Sequence, residues 1–333
     1  MQKFTEIMRS LAGVIKFLWK GLTAIVGSFV VVFALYVALL LAVLPANTSG
    51  PMSFPSKPIK SGSLDQTVAV VNLTGVIAYP DSNGGLMAST GIDASRVIAL
   101  LKQLEEDDNV KGVLLNVNSP GGGVVASDDI YQQVAELAAK KVVIARFSDV
   151  AASGGYYISA PADKIVANPA TLTGSIGVIA QLPQYSELMK KVGVEMRVFK
   201  SSDYKDIGSP FREMNEDERK IFQGIISDSY EQFVKAVAVG RRMDESKVRA
   251  LADGRVYTGK QAEQNGLIDG FANQDQALEM IQQMADLDNP SIAEYSTLSL
   301  FESILQSTSP QWLRNLSSKV PSESVGIYYM LEI

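Results

Sequence analysis

Neither histidine nor cysteine occurs anywhere in this sequence. Histidine is the side chain whose ordinary pKa suits proton transfer near neutrality. Without it, a Ser-His-Asp triad, a Cys-His dyad and a histidine-ligated zinc are excluded, and any acid–base chemistry falls to Asp, Glu, Lys or Tyr. Without cysteine, thiol catalysis, disulfides and thiolate-held metal are excluded as well. Basic charge is also scarce. Thirty Lys and Arg against 36 Asp and Glu give a net charge of -6, which argues against a nucleic-acid partner.

What is present begins with a long apolar run. Residues 22–44, LTAIVGSFVVVFALYVALLLAVL, carry no charge over about 23 positions, close to the roughly 20 residues that span a bilayer as a helix. Lys3, Arg9, Lys16 and Lys20 precede the run, against Glu6 alone. Basic flanks stay cytoplasmic, so residues 1–21 are expected inside and the remainder outside the cytoplasmic membrane. A cleaved signal peptide is the rival reading, but its apolar core is usually about 7–15 residues. Residues 45–64 are rich in Ser, Pro and Gly and read as a tether, followed by a domain over 65–290 and a tail of unknown role over 291–333.

Within the domain, strand and helix patterns alternate. Thr67–Leu73, Gly112–Val117, Val142–Phe147, Lys164–Ala167 and Glu195–Phe199 read as strands. Helices are expected from Asp93 to about Leu104, from Ser127 or Asp128 to about Lys140, and over Ser153–Ala160. Asn215 caps a long helix to about Val239, and shorter helices follow at Glu245–Ala252, Thr258–Asn265 and Gln274–Ala285. This order implies a parallel sheet with helices packed outside it.

Four local motifs have chemical potential. Asn118-Ser119-Pro120-Gly121-Gly122-Gly123 follows a buried strand, and its bare backbone amides can face a developing oxyanion, although a plain turn has the same composition. In Ala151-Ala152-Ser153-Gly154-Gly155-Tyr156-Tyr157, the serine opens a helix as a cap would. Two glycines directly after it are poor helix formers and permit close substrate approach. Thr173-Gly174-Ser175-Ile176-Gly177-Val178 places Ser175 where it could bond an amine, or simply loosens a sheet edge. Lys205, in Tyr204-Lys205-Asp206-Ile207-Gly208-Ser209-Pro210-Phe211, becomes a base only if its environment lowers its pKa.

The ordered set NSPGGG, ASGGYY, TGSIGV and YKDIGSPFR behind one apolar anchor closely resembles the signal peptide peptidase A, or protease IV, family in its short single-copy form. The resemblance covers about Thr67 to Ala285. It implies an α/β fold of the Clp protease/crotonase type, a superhelix of strand–helix units with an N-terminal transmembrane helix and a helical C-terminal part. It implies Ser153 as nucleophile and Lys205 as general base, with Ser175 orienting the lysine. Gly122 and Gly154 are implied as oxyanion donors, with Gly121 the fallback. No cofactor and no metal are implied. The implied substrates are remnant signal peptides and other unfolded membrane-proximal peptides, cut by a membrane-anchored octameric ring in which the lysine can come from a neighbouring protomer. Competing readings are a crotonase-like acyl-CoA enzyme, a silent membrane scaffold, and a peptidase dedicated to a stomatin-type membrane protein or to phage capsid maturation. The acyl-CoA enzyme would need a cytosolic chain with carboxylate bases, the scaffold would lack Ser153 or Lys205, and the anchor argues against capsid maturation.

Overall fold

A computed structural model describes residues 19–21, 27, 28, 30–36, 54–79, 91–297 and 327–330. The chain divides into two units, Met1–Met52 and Ser53–Ile333. In the first unit the described residues are helical and exposed, Val30, Val31, Val32, Phe33, Leu35 and Tyr36 among them. Among the described residues no helix is long and apolar enough to cross a membrane. Most of the span expected over 22–44 lies outside the described residues, as do residues 45–53 of the tether; the rest of the expected tether is not loose chain, since Ser56–Lys60 and the residues from Ser63 onward are strands of the main sheet.

The second unit is built on a parallel sheet. Its strands are β1 (Ser56–Lys60), β2 (Ser63–Thr74), β5 (Val110–Ser119), β7 (Val142–Ala152), β8 (Lys164–Ala167), β12 (Gly270–Phe271) and β13 (Pro290–Tyr295), in the order β1-β13-β2-β5-β7-β8-β12. All neighbours are parallel except β1 and β13. Side chains alternate faces along each strand. Ala69, Val71, Val113 and Leu115 therefore enter one core, while Val68, Val70, Leu114 and Ile144 enter the other. Both faces are covered, which accounts for the near-continuous apolar character of these strands.

Helix α1 (Ala94–Glu106) turns Val97, Leu100, Leu101 and Leu104 onto the first face, and Asp93 caps it by accepting from the Arg96 amide. Helix α2 (Val124–Ala138) packs beside α1. It begins directly after Gly123, earlier than the Ser127 or Asp128 start expected, so Ser127 is a buried residue of its first turn. Helix α3 is the single turn Gly154–Tyr157, and α4 spans Ser186–Val192. Helix α5 (Glu216–Arg241) starts with a capping box between Asn215 and Glu218. Helices α6 (Glu245–Leu251) and α7 (Gly259–Asn265) follow. Helix α8 (Gln274–Met284) places Ala277, Leu278 and Ile281 on the second face.

A second sheet runs β10-β14-β6-β3-β4, formed by β3 (Ile77–Ala78), β4 (Ile92–Asp93), β6 (Gly121–Gly123), β10 (Ile179–Ala180) and β14 (Ile327–Met330). Strand β9 (Leu172–Gly174) joins the end of β7 to β11 (Val256–Thr258). Two expectations need revision. Glu195–Phe199 forms no strand, because among the described residues no strand pairs with it. The tail expected from 291 starts inside β13, which lies parallel to β2 in the main sheet.

Candidate active site

Ser153 sits where β7 ends and α3 begins. Its backbone has φ 52° and ψ -117°, a conformation that costs a residue bearing a Cβ. Two backbone bonds hold it there: its N–H donates to the Gly174 carbonyl at 2.8 Å, and its carbonyl accepts from Tyr157 N at 2.8 Å. The residue is 1% exposed, and its Oγ has no hydrogen-bond partner among the described residues. A strained strand-to-helix turn carrying an uncommitted serine hydroxyl is the geometry of a nucleophile elbow.

The glycine motif lies against this turn. Gly121 has φ 107°, and a Cβ there would collide with the Tyr329 carbonyl oxygen and come within 2.7 Å of the Gly154 nitrogen. A Cβ on Gly154 would meet Ser127 Oγ at 2.7 Å and the Tyr329 oxygen at 3.0 Å. Both positions are therefore glycine because backbones approach too closely for any side chain. The Gly121 amide already donates to Ser119 Oγ at 3.1 Å. Gly122 is central in β6, in register with Ile77 on one side and Tyr329 on the other.

Strand β14, the described end of the tail, lies antiparallel between β6 and β10. Its Tyr329 is fully buried. Its ring stacks on Tyr157 at 4.9 Å and 25°, packs on Phe233 at 4.7 Å, and its hydroxyl donates to the Ser229 carbonyl at 2.8 Å. Tyr157 is held by Asp128, which accepts from its hydroxyl at 2.6 Å. Burial, then that carboxylate, push the Tyr157 hydroxyl well above the usual phenol range, so it stays a donor. Sequence reading found no role for this tail strand.

Ser175 follows Gly174, which is paired in register with Ala152, the residue before Ser153. Adjacent parallel strands lie about 4.8 Å apart, so the two serines are neighbours at one end of the sheet. Ser175 also has positive φ, 49°, fixed by its N–H to the Arg255 carbonyl at 2.8 Å. The fold thus brings together Ser153, Gly154, Gly121, Gly122 and Ser175.

Lys205 is placed differently. It is exposed, and its amine makes no hydrogen bond to Ser153 Oγ, which has no partner among the described residues. The segment around it is anchored through its neighbour Asp206. That carboxylate accepts from Lys200 Nζ at 2.8 Å and from Arg212 Nε at 2.9 Å and Nη2 at 2.8 Å. Arg212 also bridges to both oxygens of Glu218 at the start of α5. These hydrogen bonds hold the Asp206 carboxyl far below the usual range and Glu218 at about 2. The Asn215-x-x-Glu218 spacing signalled the cap, but nothing local signalled Asp206 and Arg212. Residues 187–205 are otherwise almost wholly exposed, with Leu188, Val192, Val194, Met196 and Val198 open and Phe199 95% exposed.

Comparison with known proteins agrees with this geometry. Residues 135–288 match the model of peptidase family S49, and residues 87–173 match that of Clp protease. The chain is 43% identical to a putative protease of Methanocaldococcus jannaschii over 231 residues, 69% of this chain and 74% of that protein. It is 38% identical to a putative signal peptide peptidase of Enterococcus faecium over 247 residues, 74% of this chain and 72% of that protein. Against protease 4 of Haemophilus influenzae it is 34% identical over 220 residues, which cover 66% of this chain and 35% of the longer relative. A Clp-like α/β fold carrying a buried, uncommitted serine at its sheet end and these relatives lead to one assignment: the chain belongs to peptidase family S49, the family of signal peptide peptidase A, and is a serine peptidase.

Proposed function

We propose that the protein is a membrane-anchored endopeptidase in which Ser153 attacks the substrate carbonyl and Lys205 acts as general base. The observation that carries this reading is Ser153 itself, a strained, buried hydroxyl with no partner, beside two glycines and an antiparallel peptide strand. A neutral lysine amine takes the Oγ proton, the alkoxide adds to the carbonyl, and the ammonium then protonates the departing amine. Water, activated by the same amine, releases the acyl group. Gly154 and Gly122 supply the oxyanion donors, because the Gly121 amide is engaged by Ser119. Loss of one such donor typically costs about 2.7–4 kcal/mol. Ser175, at the sheet end beside Ser153, orients the amine.

The exposure of Lys205 supports an inter-chain site. In this proposal the exposed segment 187–205 packs its apolar side chains on a second copy within a ring, an octamer by resemblance, and carries Lys205 to that copy's Ser153. Substrates are extended peptides such as remnant signal peptides, met outside the cytoplasmic membrane. The anchor is supported by the uncharged run 22–44 and by the exposed apolar helical residues 30–36.

Complementation tests the arrangement. Ser153→Ala and Lys205→Ala proteins are each inactive, and co-assembly of the two restores hydrolysis of a fluorogenic peptide. Failure to restore activity in mixed rings refutes the shared site, and full activity of pure Lys205→Ala refutes the dyad altogether. In a pH–rate profile, activity rises as the lysine amine loses its proton; that ascending limb persists in Lys200→Met, whereas Lys205→Met stays inactive across the range.

A further inference from the structure

We propose that the Ser127 hydroxyl is a third donor to the oxyanion, one that engages the tetrahedral intermediate and stays idle beside a planar carbonyl. Ser127 lies in the first turn of α2 and is fully buried, and its Oγ has no hydrogen-bond partner among the described residues. Burying a hydroxyl without a partner is destabilising. A helical serine commonly avoids this by donating to the carbonyl four residues earlier. Ser227 and Ser229 in α5 do so, to Gln223 at 2.7 Å and Ile225 at 3.1 Å, and Ser159 does so to Gly155 at 2.8 Å. Ser127 does not take the corresponding Gly123 carbonyl, so its hydroxyl is left available.

That hydroxyl borders the place where charge develops. A Cβ on Gly154 would lie 2.7 Å from Ser127 Oγ, 3.0 Å from the Tyr329 carbonyl oxygen and 3.1 Å from Gly121 Cα. Ser127 thus shares one small space with the residue after Ser153 and with the start of β6. It makes no bond to the planar Tyr329 carbonyl there, as suits a donor aimed at the position the oxygen takes once its carbon is tetrahedral. The helix adds to the effect. Helix α2 opens on Gly123 with no side-chain cap and no acidic residue in its first turn, so the positive end of its dipole is uncompensated beside β6. The proposal rests on Ser153 being the nucleophile. As Ser153 Oγ bonds to the substrate carbon, the carbonyl π pair moves onto oxygen, and Ser127 donates a hydrogen bond to that anion while keeping its own proton. On collapse the C–N bond breaks, the amine leaves with the proton held by the lysine, and the Ser127 hydroxyl is released.

The test is Ser127→Ala in the full chain, with the coumarin amide of acetyl-Leu-Leu-Leu as substrate. The kcat falls about a hundredfold, while KM stays within about twofold of the unaltered protein. Acetyl-Leu-Leu-Leu aldehyde, which forms a tetrahedral adduct with a serine hydroxyl, inhibits about a hundredfold more weakly. The matching primary amide, which stays planar, competes equally well in both proteins. The melting temperature does not fall, because an unpaired hydroxyl takes no bond with it when removed. Ser127→Cys keeps a side chain in the same place with a much weaker donor, and it behaves as alanine does. Equal weakening of the aldehyde and the amide overturns the proposal, as does full activity of Ser127→Cys, since each assigns Ser127 to packing. Unchanged kcat in Ser127→Ala beside an inactive Ser153→Ala overturns this proposal alone and leaves the peptidase reading standing. Hydrolysis by Ser153→Ala itself overturns both.

Discussion

Ser153 carries two opposing demands at one position. Its positive φ suits glycine, whereas the proposed attack on a carbonyl requires a hydroxyl. Strain of this kind costs about 1–3 kcal/mol and persists where surrounding structure enforces it. The expected consequence separates stability from activity. Ser153→Gly relieves the strain and melts higher than Ser153→Ala, which keeps it, while both lose hydrolysis. Equal melting temperatures for the two variants would contradict the strain. Ser153 stood out in sequence as a candidate only because GG follows it and three other motifs accompany it in order. Its backbone geometry was not, since that follows from Gly174 and Tyr157 holding its two peptide groups.

The elements show where sequence periodicity suffices and where it does not. Strands β2, β5 and β7 and helix α1 were readable because burial on both faces, or on one helical stripe, imprints a continuous or i, i+3, i+4 apolar pattern. Glu195–Phe199 has the alternation of a strand, Val194, Met196 and Val198 interleaved with Glu195 and Arg197, yet among the described residues no strand pairs with it. Strand β14 was missed because four residues, Ile-Tyr-Tyr-Met, give no period to read. The loop bearing Lys205 is shaped by charge rather than apolar burial. Because the Glu218 carboxyl lies at about 2, below its ordinary 4.5, its partnership with Arg212 stabilises the fold above pH 4.5 and is lost as pH falls through about 2. Thermal melts of the unaltered and Arg212→Ala proteins should therefore converge across that interval. A gap that stays constant with pH would mean that Arg212 acts by packing alone. On the proposed dyad, Arg212→Ala at neutral pH lowers kcat by loosening the loop that bears Lys205, and Arg212→Lys recovers less than half of it, lacking the bidentate fork.

At the scale of the whole molecule, the exposed segment 187–205 predicts that activity depends on assembly. Phe199→Asp leaves the fold intact, since Phe199 is 95% exposed, but weakens the proposed ring. Its specific activity should fall on dilution well before that of the unaltered protein, with sedimentation reporting smaller species at the same concentrations. Retention of full activity by a dispersed Phe199→Asp monomer would show that one chain suffices.

Strand β14 also bears on what would follow from losing the end of the chain. Its four residues pair with β6 on one side and β10 on the other, and Tyr329 joins the rings of Tyr157 and Phe233. A chain cut before Ile327 bares the backbone edges of both strands, and bare edges recruit whatever extended chain is near.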